Sequence, residues 1–268
     1  AETAKILWKT YLALTIIEII ALLFAGLDLF DAVCHTFSTV ATGGFSPHNG
    51  SVGIFDNIYI EAIIILFMFF GGINFALHSQ IVRGNFAGVL KNPEFRSYCS
   101  MLIIGILLVT WGLTRVSPDG DAGEALRSAA FTVVSIQTTT GFVTEDFNLW
   151  PEYLKLLILG MMMIGGCSGS TSGSFKVIRF IILIKIITRE LIKLVHPRAI
   201  FHVKVGDKTI DSDDLSNVAA LTFLFMGISA LSAIMLSFMG VDLTTAISAS
   251  IASLFNIGPG LGGVGAMG

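Results

Sequence analysis

Five stretches of this chain carry no charged side chain over lengths that match the width of a lipid bilayer. They hold 18 to 27 residues each and cover residues 62–82, 97–114, 156–175, 215–241 and 243–268. An α-helix needs about 20 mostly apolar residues to cross the hydrocarbon core. Only 13% of the residues are charged, about half of the roughly 25% that is typical of soluble domains. The sequence therefore predicts an all-α polytopic membrane protein and excludes soluble enzyme folds.

The distribution of basic residues predicts the orientation of the chain. We place five crossings at about residues 6–26, 57–82, 97–114, 153–175 and 217–239. Lys and Arg in short loops mark the cytoplasmic side of a membrane protein. Thirteen of the 16 basic residues then fall on the side of the N-terminus, namely Lys5, Lys9, Arg83, Lys91, Arg96, Lys176, Arg179, Lys185, Arg189, Lys193, Arg198, Lys204 and Lys208. We expect this side, with the N-terminus, to be cytoplasmic.

The opposite side of the membrane is acidic. It holds three basic residues against eleven acidic ones, a balance of −8. The acidic residues are Asp28, Asp31, Asp56, Glu61, Asp119, Asp121, Glu124, Glu145, Asp146, Glu152 and Asp242. An acidic face concentrates cations and repels anions through its long-range field. The charge pattern thus favours traffic of cations.

One pattern occurs three times along the chain. An acidic residue is followed by an amphipathic segment of about a dozen residues and by a cluster of threonine and glycine, in residues 29–46, 124–143 and 241–262. Aligned on the first glycine after each segment, the anchors are Gly43, Gly141 and Gly258, and Gly44 is the alternative in the first copy. Segments of this length are too short to cross a bilayer and are typical of re-entrant helices.

Re-entrant segments have a physical consequence. Non-helical backbone at membrane depth is tolerated only where it is buried in protein or lines a watery cavity. Three equivalent segments therefore predict a shared central pathway. If each short helix enters from the acidic side, the partial negative charge at its C-terminus faces that pathway and favours a cation. The carbonyl oxygens of the unwound backbone can then replace the hydration shell of an ion. The alternative is that the three segments are ordinary turns between helices.

Three ordered motifs resemble those of a known family. TVATGGFS, QTTTGF and FNIGPGLG, at residues 39–46, 137–142 and 255–262, resemble the second, third and fourth pore loops of the Trk/Ktr/HKT superfamily of potassium transporters, most closely the bacterial TrkH type. The resemblance implies a potassium-channel-like fold, with units of outer helix, pore helix, filter loop and inner helix around a central pore. It implies three such repeats here, at residues 1–96, 97–214 and 215–268. We expect the chain to be an internal fragment without the first repeat and the final inner helix.

The resemblance also implies a function. The intact protein would be a bacterial inner-membrane homodimer that takes up K⁺ through a channel-like pore, with a nucleotide-binding regulatory ring on its cytoplasmic face. It would use no cofactor, perform no enzymatic reaction and bind no nucleic acid, while symport with a second cation stays open. K⁺ would be selected mainly by backbone oxygens of the filter loops. The implied filter residues are Ala41, Thr42, Gly43, Thr139, Thr140, Gly141, Asn256, Ile257 and Gly258.

A segment rich in glycine and serine interrupts the fourth predicted crossing. Residues 160–176 read GMMMIGGCSGSTSGSFK, and each interior glycine costs a helix about 1 kcal/mol relative to alanine, so we expect a break near mid-membrane. The family has a flexible loop here, which implies a gate below the filter that Lys176 holds or biases. The implied gate residues are Gly165, Gly166, Cys167, Ser168, Gly169, Ser170, Thr171, Ser172, Gly173, Ser174 and Lys176. The alternative is that the small residues let helices pack closely.

Two enzymatic interpretations of this segment fail. Its letters GSTSGSFK lack the G-x-x-x-x-G-K-[ST] spacing of a phosphate-binding loop. Gly166 to Gly169 match the G-x-S-G of an intramembrane protease, which needs a histidine on a later crossing. The later histidines, His196 and His202, fall in the basic cytoplasmic stretch instead.

Two other classes of function stay open. A secondary transporter with broken helices would predict inverted repeats, whereas an acidic residue precedes the short helix in every copy here. A non-conducting structural subunit is the second. Among single residues, we expect Glu18 to pair with a polar neighbour, and Asn74 and His78 either to face the pore or to pack. We expect residues 185–214 to be a solvated cytoplasmic loop.

Overall fold

The computed structural model describes residues 2–116, 121–196, 203–206 and 208–265. Within these ranges the chain forms eleven α-helices and one small antiparallel hairpin. The predicted all-α architecture is confirmed. Asp119, Arg198 and His202, which entered the sequence arguments, lie outside the described residues.

Three long apolar helices each pack against a short helix that follows in the chain. The long helices are α1 (Glu2–Phe24), α6 (Pro93–Val116) and α10 (Ser212–Phe238), and all three are long and apolar enough to cross a membrane. Their short partners are α2 (Leu29–Val40), α7 (Ala122–Gln137) and α11 (Leu243–Leu254). The predicted repeat boundaries after residues 96 and 214 fall inside the first turns of α6 and α10, and they stay predictions.

An aspartate caps the N-terminus of every short helix. The carboxylate of Asp28 accepts the Asp31 N–H at 3.1 Å, that of Asp121 accepts the Gly123 N–H at 2.9 Å, and that of Asp242 accepts the Thr245 N–H at 3.0 Å. Bonds from Thr245 hold the pKa of Asp242 below its usual value, so a negative charge sits where the positive end of the helix dipole favours it. The acidic residues of the sequence repeat are thus helix caps.

The first inner helix is broken, although the sequence predicted one continuous crossing over residues 57–82. It consists of α3 (Ile58–Gly71) and α4 (Phe75–Val82), which meet at 104°. Asn74 starts the second half, because its side chain accepts the Ala76 N–H at 2.8 Å. A short helix α5 (Phe86–Lys91) leads on to α6.

The second inner helix is broken where the sequence predicted. Its first half is α8 (Glu152–Met162) and its second half is α9 (Val177–Val195). We call residues 163–176, which join the two halves, the intramembrane loop. The expectation of a solvated loop over residues 185–214 is wrong, since α9 continues to Val195. Beyond it, strands β1 (Lys204–Val205) and β2 (Lys208–Thr209) pair, and Val203 and Val205 pack against Ile182 and Leu215. The apolar side chains in the last turns of α9, including Leu191 and Leu194, are exposed.

The repeats contact each other in chain order. The short helix α7 packs against the preceding inner helix α3, and α11 packs against α8. Each of these two short helices is therefore held between its own long helix and the inner helix of the repeat before it. This arrangement points the C-terminal ends of the three short helices at one region.

Candidate functional site

Each short helix ends in the same backbone turn. In the first copy the Thr42 N–H donates to the Thr39 carbonyl at 3.0 Å, and the Gly43 N–H donates to the Ser38 carbonyl at 2.7 Å. Thr139 and Thr140 make the equivalent bonds in the second copy, at 3.0 and 2.9 Å, and Asn256 and Ile257 make them in the third, at 3.3 and 2.9 Å. This pair of bonds defines the Schellman motif, which ends a helix with a left-handed residue.

The left-handed residue is not glycine in any copy. Thr42, Thr139 and Asn256 have φ of 52°, 59° and 58°, a conformation that costs a residue with a side chain roughly 1–2 kcal/mol. The same cost at three equivalent positions indicates that the surrounding structure imposes it, as is common at functional sites.

The turns also settle the register of the first copy. Gly43 takes the place of Thr140 and Ile257, so the residue equivalent to Gly141 and Gly258 is Gly44. The anchor Gly43 was wrong and the alternative Gly44 is right. Ala41, with φ of −77°, is the helix cap of the first copy. Alignment on the first glycine misses this because the hydrogen bonds of the helix end, not the glycine, set the register.

The three turns surround one cavity of about 550 Å³. All of the predicted filter residues except Thr139 line this cavity. Gly44 lines it too, together with residues that follow each turn, which are Phe45, Ser46, His48, Asn49, Ser51, Val143, Pro259, Gly263, Val264 and Gly265. No charged side chain stands among the nine filter positions, so the polar groups that they offer are backbone carbonyls and hydroxyl or amide groups.

Two glycines let neighbouring turns touch. A Cβ on Gly44 would overlap the carbonyl oxygen of Thr140, and a Cβ on Gly141 would overlap that of Ile257. Both glycines have positive φ, of 67° and 84°. The first turn therefore lies directly beside the second and the second beside the third, which places consecutive repeats side by side around the cavity.

Short 3₁₀ turns on the far side of the cavity tie the repeats together. The Gly53 N–H, from the turn Ser51–Phe55, donates to the Val143 carbonyl at 3.2 Å. Asn148, from the turn Phe147–Leu149, accepts the Gly262 N–H at 2.9 Å. Sequence reasoning missed these contacts, because no local pattern in either turn indicates a distant backbone partner.

Two residues of the acidic face form ion pairs within the protein. Arg127 of α7 donates to both carboxylate oxygens of Glu61 at 2.7 Å and to Asp56 at 3.1 Å. Its bonds to Glu61 raise the pKa of Arg127, and Glu61 is buried. Glu61 thus links α3 to α7 and adds little to the free acidic field that the sequence predicted.

The intramembrane loop packs into the break of the first inner helix. Cys167 N–H donates to the Gly72 carbonyl at 2.8 Å and Thr171 N–H to the Gly71 carbonyl at 3.2 Å. In return, Phe75 N–H donates to the Gly169 carbonyl at 3.0 Å. Backbone groups freed by one break are therefore paired by the other, as a membrane interior requires.

The same loop reaches two of the three turns. The Gly173 N–H donates to the Thr139 hydroxyl at 2.6 Å, and a Cβ on Gly173 would lie 2.8 Å from the Cβ of Asn256. The first turn is reached only through Gly71, which lies between the Thr171 hydroxyl and the methyl group of Thr42. Lys176 folds back on the loop and donates to the Ser172 carbonyl. All predicted gate residues thus lie in or beside a segment packed against two of the three left-handed residues.

The structure also places the three single polar residues for which the sequence raised an expectation. His78 contacts the Phe70 carbonyl through Nε2 at 3.0 Å, while Asn74 caps α4, so both take the packing role rather than the pore-facing one. Glu18 is buried beside the Thr39 side chain, which is the polar neighbour that the expectation calls for. The Thr39 hydroxyl donates to the His35 carbonyl at 2.8 Å.

Comparison with known proteins decides the family. The family model of the cation transport protein TrkH matches residues 1–267. The chain belongs to the TrkH family. It is 39% identical over 263 residues to the Trk system potassium uptake protein TrkH of Escherichia coli K12, covering 98% of this chain and 54% of that protein. The TrkG protein of the same organism is 32% identical over 267 residues, covering 98% of this chain and 54% of its own.

A solved TrkH structure has the same fold. The crystal structure of the potassium transporter TrkH from Vibrio parahaemolyticus matches with a TM-score of 0.93 and 39% identity, over 98% of this chain and 57% of that one. The resemblance to the TrkH type and the fold of channel-like helical units are thereby confirmed. The chain spans about half the length of the curated TrkH relatives that it matches.

Proposed function

We propose that the intact protein takes up potassium ions through a channel-like pore in the inner membrane of a bacterium. The observation that carries the proposal is the threefold Schellman turn, which brings three uncharged loops side by side around one cavity. The relatives named as potassium uptake proteins support K⁺ as the ion.

The filter of this pore is formed by the residues that follow the short helices. In the corrected register they are Thr42, Gly43 and Gly44 in the first copy, then Thr139, Thr140 and Gly141, then Asn256, Ile257 and Gly258. Their carbonyl oxygens replace water around K⁺, and the negative ends of three helix dipoles favour the cation. The aspartate caps leave those ends uncompensated, because they lie at the opposite termini.

The intramembrane loop is the gate of this pore. Its contacts with Thr139 and Asn256 put it against the inner ends of two filter loops, where it obstructs an ion that leaves the filter. The bond from Lys176 to Ser172 keeps the loop folded on itself.

The arrangement of the whole protein follows from the charge pattern and the family. The N-terminus of this chain faces the cytoplasm, and residues 1–96, 97–214 and 215–268 belong to successive pore repeats. The protein is a homodimer whose basic cytoplasmic face binds a nucleotide-binding regulatory ring.

Serine substitutions of two filter glycines test the pore. Gly141→Ser adds a Cβ against the Ile257 carbonyl, and Gly258→Ser places a side chain at φ of 111°. We expect K⁺ uptake to fall at least about tenfold or the K⁺/Na⁺ preference to collapse, measured in cells that depend on the intact protein. Gly227→Ser is the matched control, since Gly227 lies in α10 with nothing within 4 Å of its added Cβ. Unaltered uptake and ion preference in both filter variants would refute the filter assignment.

Deletion of residues 166–174 tests the gate. Without the loop, K⁺ flux through the intact protein should rise several-fold, because nothing from α8 or α9 then reaches Thr139. Flux that equals the wild-type value in a protein that still inserts and assembles would contradict the gating role.

A further inference from the structure

One buried carboxylate, on a different helix, accepts a hydrogen bond from the intramembrane loop. Glu94 lies in the first turn of α6 and is only 8% exposed. Its Oε1 accepts the Ser168 N–H at 2.6 Å and the Ile178 N–H at 3.2 Å. Ser168 belongs to the intramembrane loop and Ile178 to the first turn of α9. One oxygen atom thus joins the loop to the helix that follows it.

The need for such an acceptor comes from the start of α9. No side chain of its own cap residue, Lys176, bonds a backbone N–H there, although the first N–H groups of a helix have no partner within it. A carboxylate at this end satisfies one of them and interacts favourably with the helix dipole.

The bond to Glu94 adds to the bonds that join the loop to the break between α3 and α4. At its base, Gly165 N–H donates to the Phe175 carbonyl at 3.0 Å and Val177 N–H to the Gly166 carbonyl at 3.1 Å, so its entry and exit run side by side. Gly173 bonds the filter residue Thr139, and Ser168 bonds Glu94. The bonds of Cys167 and Thr171 fix the loop to the end of α3, and the bond to Glu94 fixes it to α6.

We propose that Glu94 is a positioning residue that keeps the intramembrane loop against the filter. Loss of its bond to Ser168 removes the contact between the loop and α6, which loosens the loop and shifts the pore toward the open state. This inference rests on the proposed gating role of the loop, and Glu94 itself does not contact the ion.

The native thiol of Cys167 reports the position of the loop. Cys167 is fully buried and immediately precedes Ser168. In the intact protein, Glu94→Ala should speed its modification by a water-soluble maleimide at least about tenfold and should raise K⁺ flux. The rate is read from the Cys167 peptide by mass spectrometry, so the other cysteines need no replacement.

Two variants of the same helix end make the comparison specific. Glu94→Gln keeps an oxygen acceptor and should restore most of the slow labelling. Asn92→Ala removes a different contact, the bond from the Phe95 N–H to the Asn92 side chain at 3.0 Å, and should leave Cys167 labelling at the wild-type rate. A general loosening of the end of α6 would raise Cys167 labelling in Asn92→Ala as well as in Glu94→Ala.

Ser168→Pro tests the same bond without touching the buried carboxylate. Ser170 N–H donates to the Cys167 carbonyl at 3.2 Å, and Gly169 has φ of 74° while Ser168 has no positive φ. Residues 167–170 thus form a type II turn, which accepts proline at its second position. The substitution removes the N–H donor but retains the turn. We expect faster Cys167 labelling and higher K⁺ flux with at most a slight drop in Tm, because the turn is retained.

Wild-type labelling in both Glu94→Ala and Ser168→Pro would overturn the role of Glu94. If deletion of residues 166–174 still raises flux, the gate stands and only this inference fails. If that deletion leaves flux unchanged, the proposed gating role itself fails. Faster labelling in Ser168→Pro supports the role of Glu94 even where Glu94→Ala does not fold.

Discussion

The two inner helices are both broken, and in very different ways. Between α3 and α4 only residues 72–74 leave the helix, and the two halves meet at 104°. Between α8 and α9 the break covers the 14 residues 163–176. A short break changes the direction of a helix, whereas a long one supplies a segment that can occupy space of its own.

This difference shows that the two breaks complement each other, since each pairs backbone groups of the other. The last carbonyls of α3, at Gly71 and Gly72, have no partner in their own helix and accept N–H groups from Thr171 and Cys167. The long loop needs acceptors and a donor, and the short break provides them. Since each unpaired backbone group costs several kcal/mol in a membrane, each break stabilises the other.

The largest effect should come from filling the short break. Gly72→Ala would push a Cβ into the Tyr98 side chain and to 3.1 Å from the Thr138 methyl group. Overpacking of this kind costs about 1–3 kcal/mol. We expect a clear drop in the Tm of the intact protein in detergent, with faster labelling of Cys167.

The control for this substitution lies at the edge of the long break. Gly160→Ala, in the last turn of α8, has nothing within 4 Å of its added Cβ. Alanine should stabilise that helix by about 0.5–1 kcal/mol. A Tm that falls equally in both variants would contradict the expectation that Gly72 is tightly packed and Gly160 is not.

A medium effect is expected at the start of α4. Asn74→Ala removes the cap of this helix and the amide that packs at 3.2 Å from the Cβ position of Gly169. Loss of an N-cap costs about 1 kcal/mol. Asn74→Ser should recover most of the Tm because serine is also a good cap. Equal loss in both variants would show that contact with the loop, rather than the cap, carries the stability.

The smallest effect should come from a single side-chain bond between the breaks. Thr171→Val removes the hydroxyl that donates to the Gly71 carbonyl at 3.0 Å but leaves the backbone bond of residue 171 in place. A hydrogen bond of this type contributes about 0.5–1.5 kcal/mol. We expect a slight drop in Tm and a modest rise in Cys167 labelling, and Thr171→Ser should restore both. A rise in labelling as large as that of Gly72→Ala would contradict the expected ranking of the two sites.

Local patterns predicted much of this architecture. The uncharged stretches located the long helices α6 and α10. The acid-helix-glycine repeat located the three short helices, and the glycines of residues 160–176 located the long break. These features depend on hydropathy and helix propensity, which act over a few neighbouring residues. The backbone turn after each short helix was predicted to within one position, and the error arose at Gly43 because the end of a helix depends on its hydrogen bonds.

Other features needed the assembled molecule. The sequence around Gly72 has no cluster of helix breakers like that of the long loop, so its break is visible only once Tyr98 and the loop are packed against it. Glu61 and Glu94 looked like two more charged residues near the ends of crossings, yet each binds a group far away in the chain. What the sequence determined by itself is therefore a membrane protein with three short-helix repeats and one long break in an inner helix. The tertiary structure decided the register of the filter and the anchoring of the loop, because both depend on backbone groups whose partners are distant in sequence.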